Sequence, residues 1–263
     1  MDHISSRQNT HFKLARKLAG SARERAKTDQ ILLDGTRLIG AYAAQCGLKE
    51  STLLISEKGF SRPEVQQILQ SASPRHAFVL PEELFAEISQ VETPEGIAAI
   101  VGIPSVEARL PDDFRIVLDG VQDPGNLGGL LRTAAAAGAT SAHLAKGCAD
   151  PWSPRSLRGG MGAQFVLPLR ERIDIQIGLA GFNGEVIATS PRARQSIYEL
   201  DLTGPVAMIF GSEGRGIADE TLGLVSQLVH IPMTGMMESL NVAAAAAVCC
   251  FERLRQRDRS KQS

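Results

Sequence analysis

The sequence predicts an α/β protein of two domains, and three observations support this prediction. The chain has 263 residues, more than a single α/β domain of roughly 100–200 residues needs. Short apolar strands alternate with helical segments in both halves, as in sheets that are covered by helices. Residues 103–113 carry two prolines and several charges without apolar periodicity, which is typical of a linker. We therefore predict one domain over residues 1–105 and a second over residues 106–263.

The elements of the first half follow from its apolar runs and its helix-starting residues. Asn9 or Thr10 caps the first predicted helix, and Pro63 and Pro81 suit the first turns of two later helices. The predicted helices cover residues 9–18, 36–46, 61–69 and 82–88, and the predicted strands cover residues 31–35, 51–56, 76–80 and 96–102. Such an alternation predicts a small α/β sandwich of about 100 residues.

The second half begins a new series of buried strands at residue 114. The predicted strands cover residues 114–119, 141–145, 164–168, 184–190, 205–210 and 228–232. An alanine-rich helix begins near Asn126, another surrounds residues 153–161, and the last covers about residues 240–257. Because apolar strands are separated by helices, we predict a mostly parallel sheet covered on both faces.

Composition excludes several classes of protein. No run of about 18 apolar residues indicates a membrane span, and the N-terminus resembles no secretory signal, so we expect a cytoplasmic protein. Four cysteines without CxxC spacing and five scattered histidines predict no metal site. The net charge is −1, but the first 27 residues hold seven Lys or Arg and the tail from Glu252 holds five. These basic ends either contact nucleic-acid phosphates or form a solvated helix face and a frayed tail.

Three segments at predicted strand ends carry unusual chemistry, and ligands of open α/β sheets bind beyond such ends. In the first, residues 118–139, a helix begins near Asn126, where free amides and the helix dipole favour a polar ligand, and Arg132 follows within two turns. Glycines at 128 and 129 weaken that first turn, which indicates close approach by a ligand or another backbone. The alternative is a tight turn with an exposed arginine.

The other two segments are residues 209–217 and 230–250. The first has three glycines in six residues around Glu213, and a carboxylate there does not suit a phosphate cradle. The second places Ser239 and Asn241 before an alanine-rich helix, where either could simply be the N-cap. A flexible surface loop is the alternative for the first segment. The small-residue helix indicates either burial within the monomer or a dimer interface.

Together, DPGNLGGLLRTAAAAGA, IFGSEGRGI and IPMTGMMESLNVAAAAA resemble the three motifs of the SpoU (TrmH) family of RNA ribose 2′-O-methyltransferases, in the SPOUT superfamily. The resemblance covers about residues 112–256. Residues 10–103 are similar to the substrate-binding domain of such enzymes, a fold also seen in small RNA-binding ribosomal proteins. The resemblance implies a C-terminal domain tied in a trefoil knot, S-adenosyl-L-methionine bound bent in the knotted loops largely by backbone groups, and a homodimer with the active site near its interface.

The resemblance also implies which residues contact the cofactor. By position these are Gly211, Ile231 and Leu240, with Phe210, Met233 and Ser239 nearby. RSLRGGMGAQF resembles a further family segment that usually has Ala-Ser where this chain has glycines 159 and 160, so a serine hydroxyl is missing.

For catalysis, the family implies that Arg132 handles the ribose hydroxyl. Because a guanidinium almost never deprotonates, we interpret it as a cation that stabilises the developing alkoxide and holds the adjacent phosphate. Asn126 would orient Arg132 or the substrate, and Glu213 would hold its loop or pair with an arginine. Ser239 and Asn241 would shape the pocket and present hydrogen-bond donors. No metal is needed, because the leaving group is a neutral thioether.

The substrate class stays open at this point. The long N-terminal domain favours rRNA over tRNA, by analogy with tRNA enzymes that have short extensions. A non-catalytic RNA-binding or ribosome-assembly protein is another possibility, which the complete set of motif residues disfavours. A nucleotide hydrolase would need a phosphate-binding lysine or Mg²⁺ carboxylates near the glycine loops, and neither is evident.

Overall fold

A computed structural model describes residues 1–108, 110–235 and 238–260. The methionines 236 and 237 of the third motif and Lys261 of the basic tail lie outside the described residues. The chain divides into two compact units, one of residues 1–105 with 150–165, the other of residues 106–149 with those from Val166 onward. No helix in the described ranges is long and apolar enough to cross a membrane.

Strands and helices alternate along the described chain. The strands are β1 (Asp2–His3), β2 (Gln30–Asp34), β3 (Thr52–Ser56), β4 (His76–Leu80), β5 (Ile97–Gly102), β6 (Phe114–Asp119), β7 (Ser141–Ala145), β8 (Leu169–Ile173), β9 (Glu185–Thr189), β10 (Gln195–Ser196), β11 (Val206–Gly211) and β12 (Gln227–His230). The helices are α1 (Thr10–Gly20), α2 (Ala22–Thr28), α3 (Thr36–Cys46), α4 (Glu57–Phe60), α5 (Pro63–Ala72), α6 (Glu82–Ile88), α7 (Pro124–Ala136), α8 (Pro154–Gly160), α9 (Ile175–Leu179), α10 (Asp219–Leu222) and α11 (Val242–Ser260).

The first unit is built on a five-stranded sheet in the order β1-β4-β3-β5-β2, in which β5 is antiparallel to both of its neighbours. Helix α1 packs on this sheet through buried Phe12 and Leu18, which belong to one core cluster with Leu54 and Phe78. The Asn9 side chain accepts hydrogen bonds from the backbone N–H groups of the first turn, which confirms Asn9 as the predicted cap.

An ion pair joins residues 150–165 to the rest of the first unit, and further polar contacts hold the segment itself together. The Arg25 guanidinium, 6% exposed, pairs with Asp150 at 2.6 Å between Nη2 and Oδ2. The Gln164 amide nitrogen donates to the backbone oxygens of Pro151 and Ser156, both at 3.1 Å. A Cβ on Gly160 would stand 2.2 Å from Gln164 Oε1. The Gln164 side chain thus occupies the space that a residue larger than glycine would need.

The predicted strand over residues 164–168 is wrong. Residues Ala163–Phe165 form a single 3-10 turn, and the strand of this region is β8, at Leu169–Ile173. The apolar side chains Phe165 and Leu167 are buried, but they anchor a loop. Strand β8 lies at the edge of its sheet with three exposed charged residues at its centre, so it has no apolar run to reveal it.

The second unit is built on seven strands in the order β10-β12-β9-β11-β6-β7-β8, and every pair is parallel. This confirms the predicted parallel sheet. From β6 the chain moves outward through β7 to β8 and then crosses to build the other half from β9 onward. The order therefore reverses between β6 and β11, and ligands of open α/β sheets bind at the carboxyl ends beside such a switch point. The trefoil knot stays a prediction.

Candidate functional site

A cavity of about 450 Å³ opens at the carboxyl ends of β9, β11 and β12 in the second unit. Its size is within the roughly 300–1,000 Å³ typical of small-molecule sites. The described residues that line it are Thr189, Ser190, Pro191, Gly211, Ser212, Glu213, Gly216, Ile217, Ile231, Met233, Ser239, Leu240, Asn241, Val242 and Ala245.

The glycines of the second motif let the backbone close tightly at one side of the cavity. A Cβ on Gly211 would stand 2.3 Å from backbone atoms of Gly216, so no side chain fits there. Ser212 and Gly216 exchange two backbone hydrogen bonds, of 2.9 and 3.0 Å, and Gly216 has a φ of +71°. The segment is thus a tight hairpin-like turn whose backbone faces the cavity.

A chain of hydrogen bonds links the three motifs to one another. The side-chain nitrogen of Asn126 donates to Glu213 Oε1 at 2.8 Å, and the side-chain nitrogen of Asn241 donates to Asn126 Oδ1 at 2.9 Å. Asn241 Oδ1 accepts from the backbone N–H of Ala243 at 2.9 Å and caps α11. We call Asn126, Glu213 and Asn241 the amide chain. The helix cap fixes the Asn241 oxygen towards α11, so the Asn241 nitrogen faces Asn126. Asn126 must then present its oxygen to Asn241 and its nitrogen to Glu213.

The start of α7 is fixed from two further sides. The Asp123 side chain accepts a hydrogen bond from the backbone N–H of Asn126 at 2.8 Å, so the residue that joins the motifs is also held by its backbone. Helix α7 packs against α11, and the position of a Cβ on Gly129 is 3.7 Å from the Cβ of Ala243. The glycine predicted to allow close approach therefore faces the first turn of α11.

The Glu213 carboxylate is kept ionised by its partners. Partial burial opposes its charge, but hydrogen bonds from the Asn126 side chain and from the backbone near Gln122 and Asp123 outweigh burial and lower the pKa of Glu213. At neutral pH the amide chain therefore ends on a negative charge beside the cavity.

The structure gathers most of the predicted site residues at the cavity. Seven of them line it: Gly211, Glu213, Ile231, Met233, Ser239, Leu240 and Asn241. Phe210 does not, because its side chain is fully buried in the core. Asn126 touches the site through Glu213 and Asn241. Arg132 is exposed on α7 and makes no hydrogen bond or ion pair with any described residue, so Asn126 does not orient it in the isolated chain.

The sequence analysis missed the part of the lining that follows β9. Thr189, Ser190 and Pro191 line the cavity directly beyond that strand. The end of β9 could have indicated these residues, since neighbouring parallel strands end at one edge of a sheet and ligands bind there. No glycine pattern marks these residues.

The lining determines what the cavity can hold. Among its described residues there is no lysine or arginine, Glu213 is the charged group, and Ile217, Ile231 and Leu240 are apolar. The described residues also contain no group of three or more His, Cys, Asp or Glu side chains able to hold a metal ion. Such a lining suits a ligand with an apolar, hydrogen-bonding portion and a positive centre, and it does not suit a polyphosphate.

Two protein-family models match the chain. The model of the SpoU rRNA Methylase family matches residues 113–251, and that of the MRM3-like substrate binding domain matches residues 9–99.

Relatives are similar over nearly the whole chain. An uncharacterized tRNA/rRNA methyltransferase of Synechocystis is 35% identical over 96% of this chain and 93% of that protein. The 23S rRNA (guanosine(2553)-2′-O)-methyltransferase RlmP of Bacillus subtilis is 30% identical over 95% of this chain and 98% of that protein. Among solved structures, the SpoU methyltransferase AviRb of Streptomyces viridochromogenes, in complex with its cofactor AdoMet, has a TM-score of 0.85 at 25% identity, covering 95% of this chain and 99% of that chain.

Proposed function

From the premise that this chain belongs to the SpoU rRNA methylase family, we propose that it methylates a ribose 2′-hydroxyl of ribosomal RNA, with the cavity beyond β9, β11 and β12 as its S-adenosylmethionine site. The chain is an S-adenosylmethionine-dependent RNA 2′-O-methyltransferase. The observation that carries the assignment of the site is the amide chain, which joins all three motifs around one cavity.

The residues of the cavity fit the proposed cofactor. S-adenosylmethionine would supply a methyl group, bonded to a positively charged sulfur, for attack at its carbon by an oxygen nucleophile. Apolar Ile231 and Leu240 form walls against which an adenosine can pack, and Gly211 lines the cavity where the Gly216 backbone leaves no room for a side chain. The ionised Glu213 carboxylate favours a cation nearby, because opposite charges attract.

Within the amide chain, Asn126 and Asn241 are positioning residues. They fix the Glu213 loop, the start of α7 and the start of α11 relative to one another. Alignment of the reacting atoms supplies much of the acceleration of a displacement reaction, so loss of this arrangement costs rate. Ser239 lines the same cavity and presents a hydroxyl to cofactor or substrate.

Arg132 is the group proposed to act on the ribose. It is exposed, it lies on the helix that begins at Asn126, and no described residue neutralises it. A guanidinium stays protonated at working pH, so it stabilises the developing alkoxide and binds the adjacent phosphate rather than removing the proton. We expect Arg132→Ala and Arg132→Lys to lower kcat by roughly 10²–10³-fold while the Kd for S-adenosylmethionine stays unchanged. Near wild-type turnover in both variants would contradict this role.

A second copy of the chain is the proposed partner of α11. Ala244, Val248 and Phe251 lie four and three residues apart, on one face of the helix, and Phe251 is 47% exposed. Helix α7, which carries Arg132, packs beside α11, so a copy that covers this face also approaches Arg132. Sedimentation equilibrium should show a dimer for the wild type and a monomer for Phe251→Asp. A monomeric wild type at micromolar concentration would exclude the homodimer.

Ribosomal RNA is favoured over tRNA because a substrate-binding domain occupies residues 9–99 and because the relative RlmP acts on 23S rRNA. With a ribosomal RNA substrate, we also propose that the protein works in the cytoplasm. The test is a map of 2′-O-methyl groups across total RNA from a strain that lacks the gene. One ribosomal site should disappear and return on complementation. Loss of a tRNA site instead would reassign the substrate.

A further inference from the structure

Three arginines stand beside the mouth of the cavity on loops that also supply its lining. Arg192 and Arg194 follow Pro191, the last lining residue of the loop after β9. Arg215 lies between Glu213 and Gly216, which both line the cavity. We call Arg192, Arg194 and Arg215 the arginine rim.

The side chains of the rim have no intramolecular partner among the described residues. All three side chains are exposed, and none makes a hydrogen bond or ion pair with another described side chain or backbone group. The backbone of two of them is held in place: Ser190 Oγ accepts from the Arg192 N–H at 3.3 Å, and the Arg215 N–H donates to Ser212 Oγ at 3.2 Å. Arg192 and Arg215 are therefore fixed at the backbone, while their guanidinium groups contact no described residue.

Neighbouring carboxylates lie on the same edge but form no ion pair with the rim within the described residues. Glu213 accepts from Asn126, and Glu199 accepts from the backbone of Ser196. Exposed Asp219 and Glu220 begin α10 and lower the net charge of this edge. The whole chain has a net charge of −1, so its net charge provides no overall attraction for RNA. We therefore expect the rim to act by close contact, for which the guanidinium fork is suited.

The covalent structure of RNA requires anions at this place. A ribose whose 2′-hydroxyl reaches the cavity brings its own 5′ and 3′ phosphodiesters to the mouth, since both are bonded to the same sugar. Arg132 is proposed to bind one of these phosphates, and the described lining contains no cation to receive the other. We propose that the arginine rim binds phosphates that flank the reacting ribose and so holds the target strand in the cavity. This inference rests on the proposed function.

The test compares two matched double variants of the full-length protein. Arg192→Ala/Arg194→Ala removes two charges at the mouth, and Arg170→Ala/Arg172→Ala removes two on β8, at the opposite edge of the same sheet. Ribosomal RNA from a strain lacking the gene is the substrate, and the transferred methyl group is tritiated. Affinity for the same RNA is measured by filter binding, and the Kd for S-adenosylmethionine by calorimetry.

The rim variant should lose about tenfold in kcat/KM, mainly through KM, and about tenfold in RNA affinity. The slope of log affinity against log salt should fall by about 1.4, since each phosphate contact contributes roughly 0.7 for single strands. The β8 variant should match the wild type, and the Kd for the cofactor should change in neither. Arg215→Ala should show a smaller loss of the same kind.

Equal RNA affinity and salt slope in the two double variants would overturn the proposal. So would a Kd for S-adenosylmethionine that rises as much as kcat/KM falls, because the arginines would then serve the cofactor. The two readouts separate this proposal from the proposed function. A wild-type protein that binds RNA but transfers no methyl would refute the function, while the affinity ratio would still decide on the rim.

Discussion

Asn126→Asp replaces the NH₂ group at the centre of the amide chain with a carboxylate oxygen, so a hydrogen-bond donor becomes a charged acceptor. In the wild type the Asn126 amide donates to Glu213 Oε1 over 2.8 Å. An aspartate places a second carboxylate at that distance, so a charge-assisted hydrogen bond becomes a like-charge contact. The loop of the second motif can then no longer stay against the start of α7.

The size of the effect follows from the geometry and the exposure of the pair. A hydrogen bond to a charged group contributes about 1.5–3 kcal/mol when buried, and about 1 kcal/mol here because Glu213 is exposed. Two charges about 4 Å apart repel by about 1 kcal/mol in water and by about 4 kcal/mol at an effective dielectric constant of 20. A total of about 2–5 kcal/mol lowers kcat/KM by roughly 30- to 5,000-fold at pH 8. Asn126→Ala, which loses hydrogen bonds without adding charge, should lose about tenfold.

The pH dependence distinguishes repulsion from simple loss of contact. In the wild type the pKa of Glu213 is lowered, so its contribution is complete above the usual glutamate pKa and is lost only as pH falls through the lower folded value. Two adjacent carboxylates share a proton, which raises one pKa. Between pH 8 and pH 5.5, Asn126→Asp should therefore regain activity relative to Asn126→Ala.

Tritiated-methyl transfer to ribosomal RNA at several pH values measures this, with calorimetry of S-adenosylmethionine as the companion assay. The reasoning is refuted if Asn126→Asp equals the wild type at pH 8. It is equally refuted if the Asp and Ala variants have parallel pH profiles, since no shared proton would then exist.

Three further predictions concern single residues. Gly211→Ala should abolish detectable S-adenosylmethionine binding in calorimetry, because its Cβ would stand 2.3 Å from the backbone of Gly216; unchanged binding would show that the turn relaxes. Gly160→Ala should lower the free energy of unfolding by about 1–3 kcal/mol in urea titrations, because its Cβ would meet the Gln164 amide, and an undiminished midpoint would contradict that packing. Burial lowers the pKa of His143 to about 4, so stability should fall as pH drops from about 6.5 to about 4, and His143→Phe should show a shallower fall in Tm over that range.

The sequence predicts strands well where both faces of the strand are largely buried. His76–Leu80, Phe114–Asp119 and Ser141–Ala145 match their predicted bounds residue for residue, because each is a short apolar run between breakers. Edge strand Leu169–Ile173 was missed for the opposite reason, since charges on an edge leave no apolar pattern. Helix Ala22–Thr28 is mostly polar and was also missed.

The sequence predicts most residues of the candidate site but not the hydrogen bonds between them. The motif residues Glu213 and Asn241 line the cavity as expected. The sequence does not show that Asn126 bonds to Glu213 and Asn241 and makes no hydrogen bond with Arg132. Asn126 is 87 positions from Glu213 and 115 from Asn241, and no local pattern encodes contacts over such separations. Thr189 was missed because nothing but the end of its strand marks it.

The most direct test of the account is where the methyl group is placed on the RNA. Ribosomal RNA from a strain lacking the gene is methylated by the purified protein with tritiated S-adenosylmethionine and then hydrolysed completely with alkali. A 2′-O-methyl group blocks cleavage of the adjacent phosphodiester, so the account predicts that the label emerges in one alkali-resistant dinucleotide, and that Arg132→Ala transfers almost none. Label released in mononucleotides would place the methyl group on a base and contradict the account.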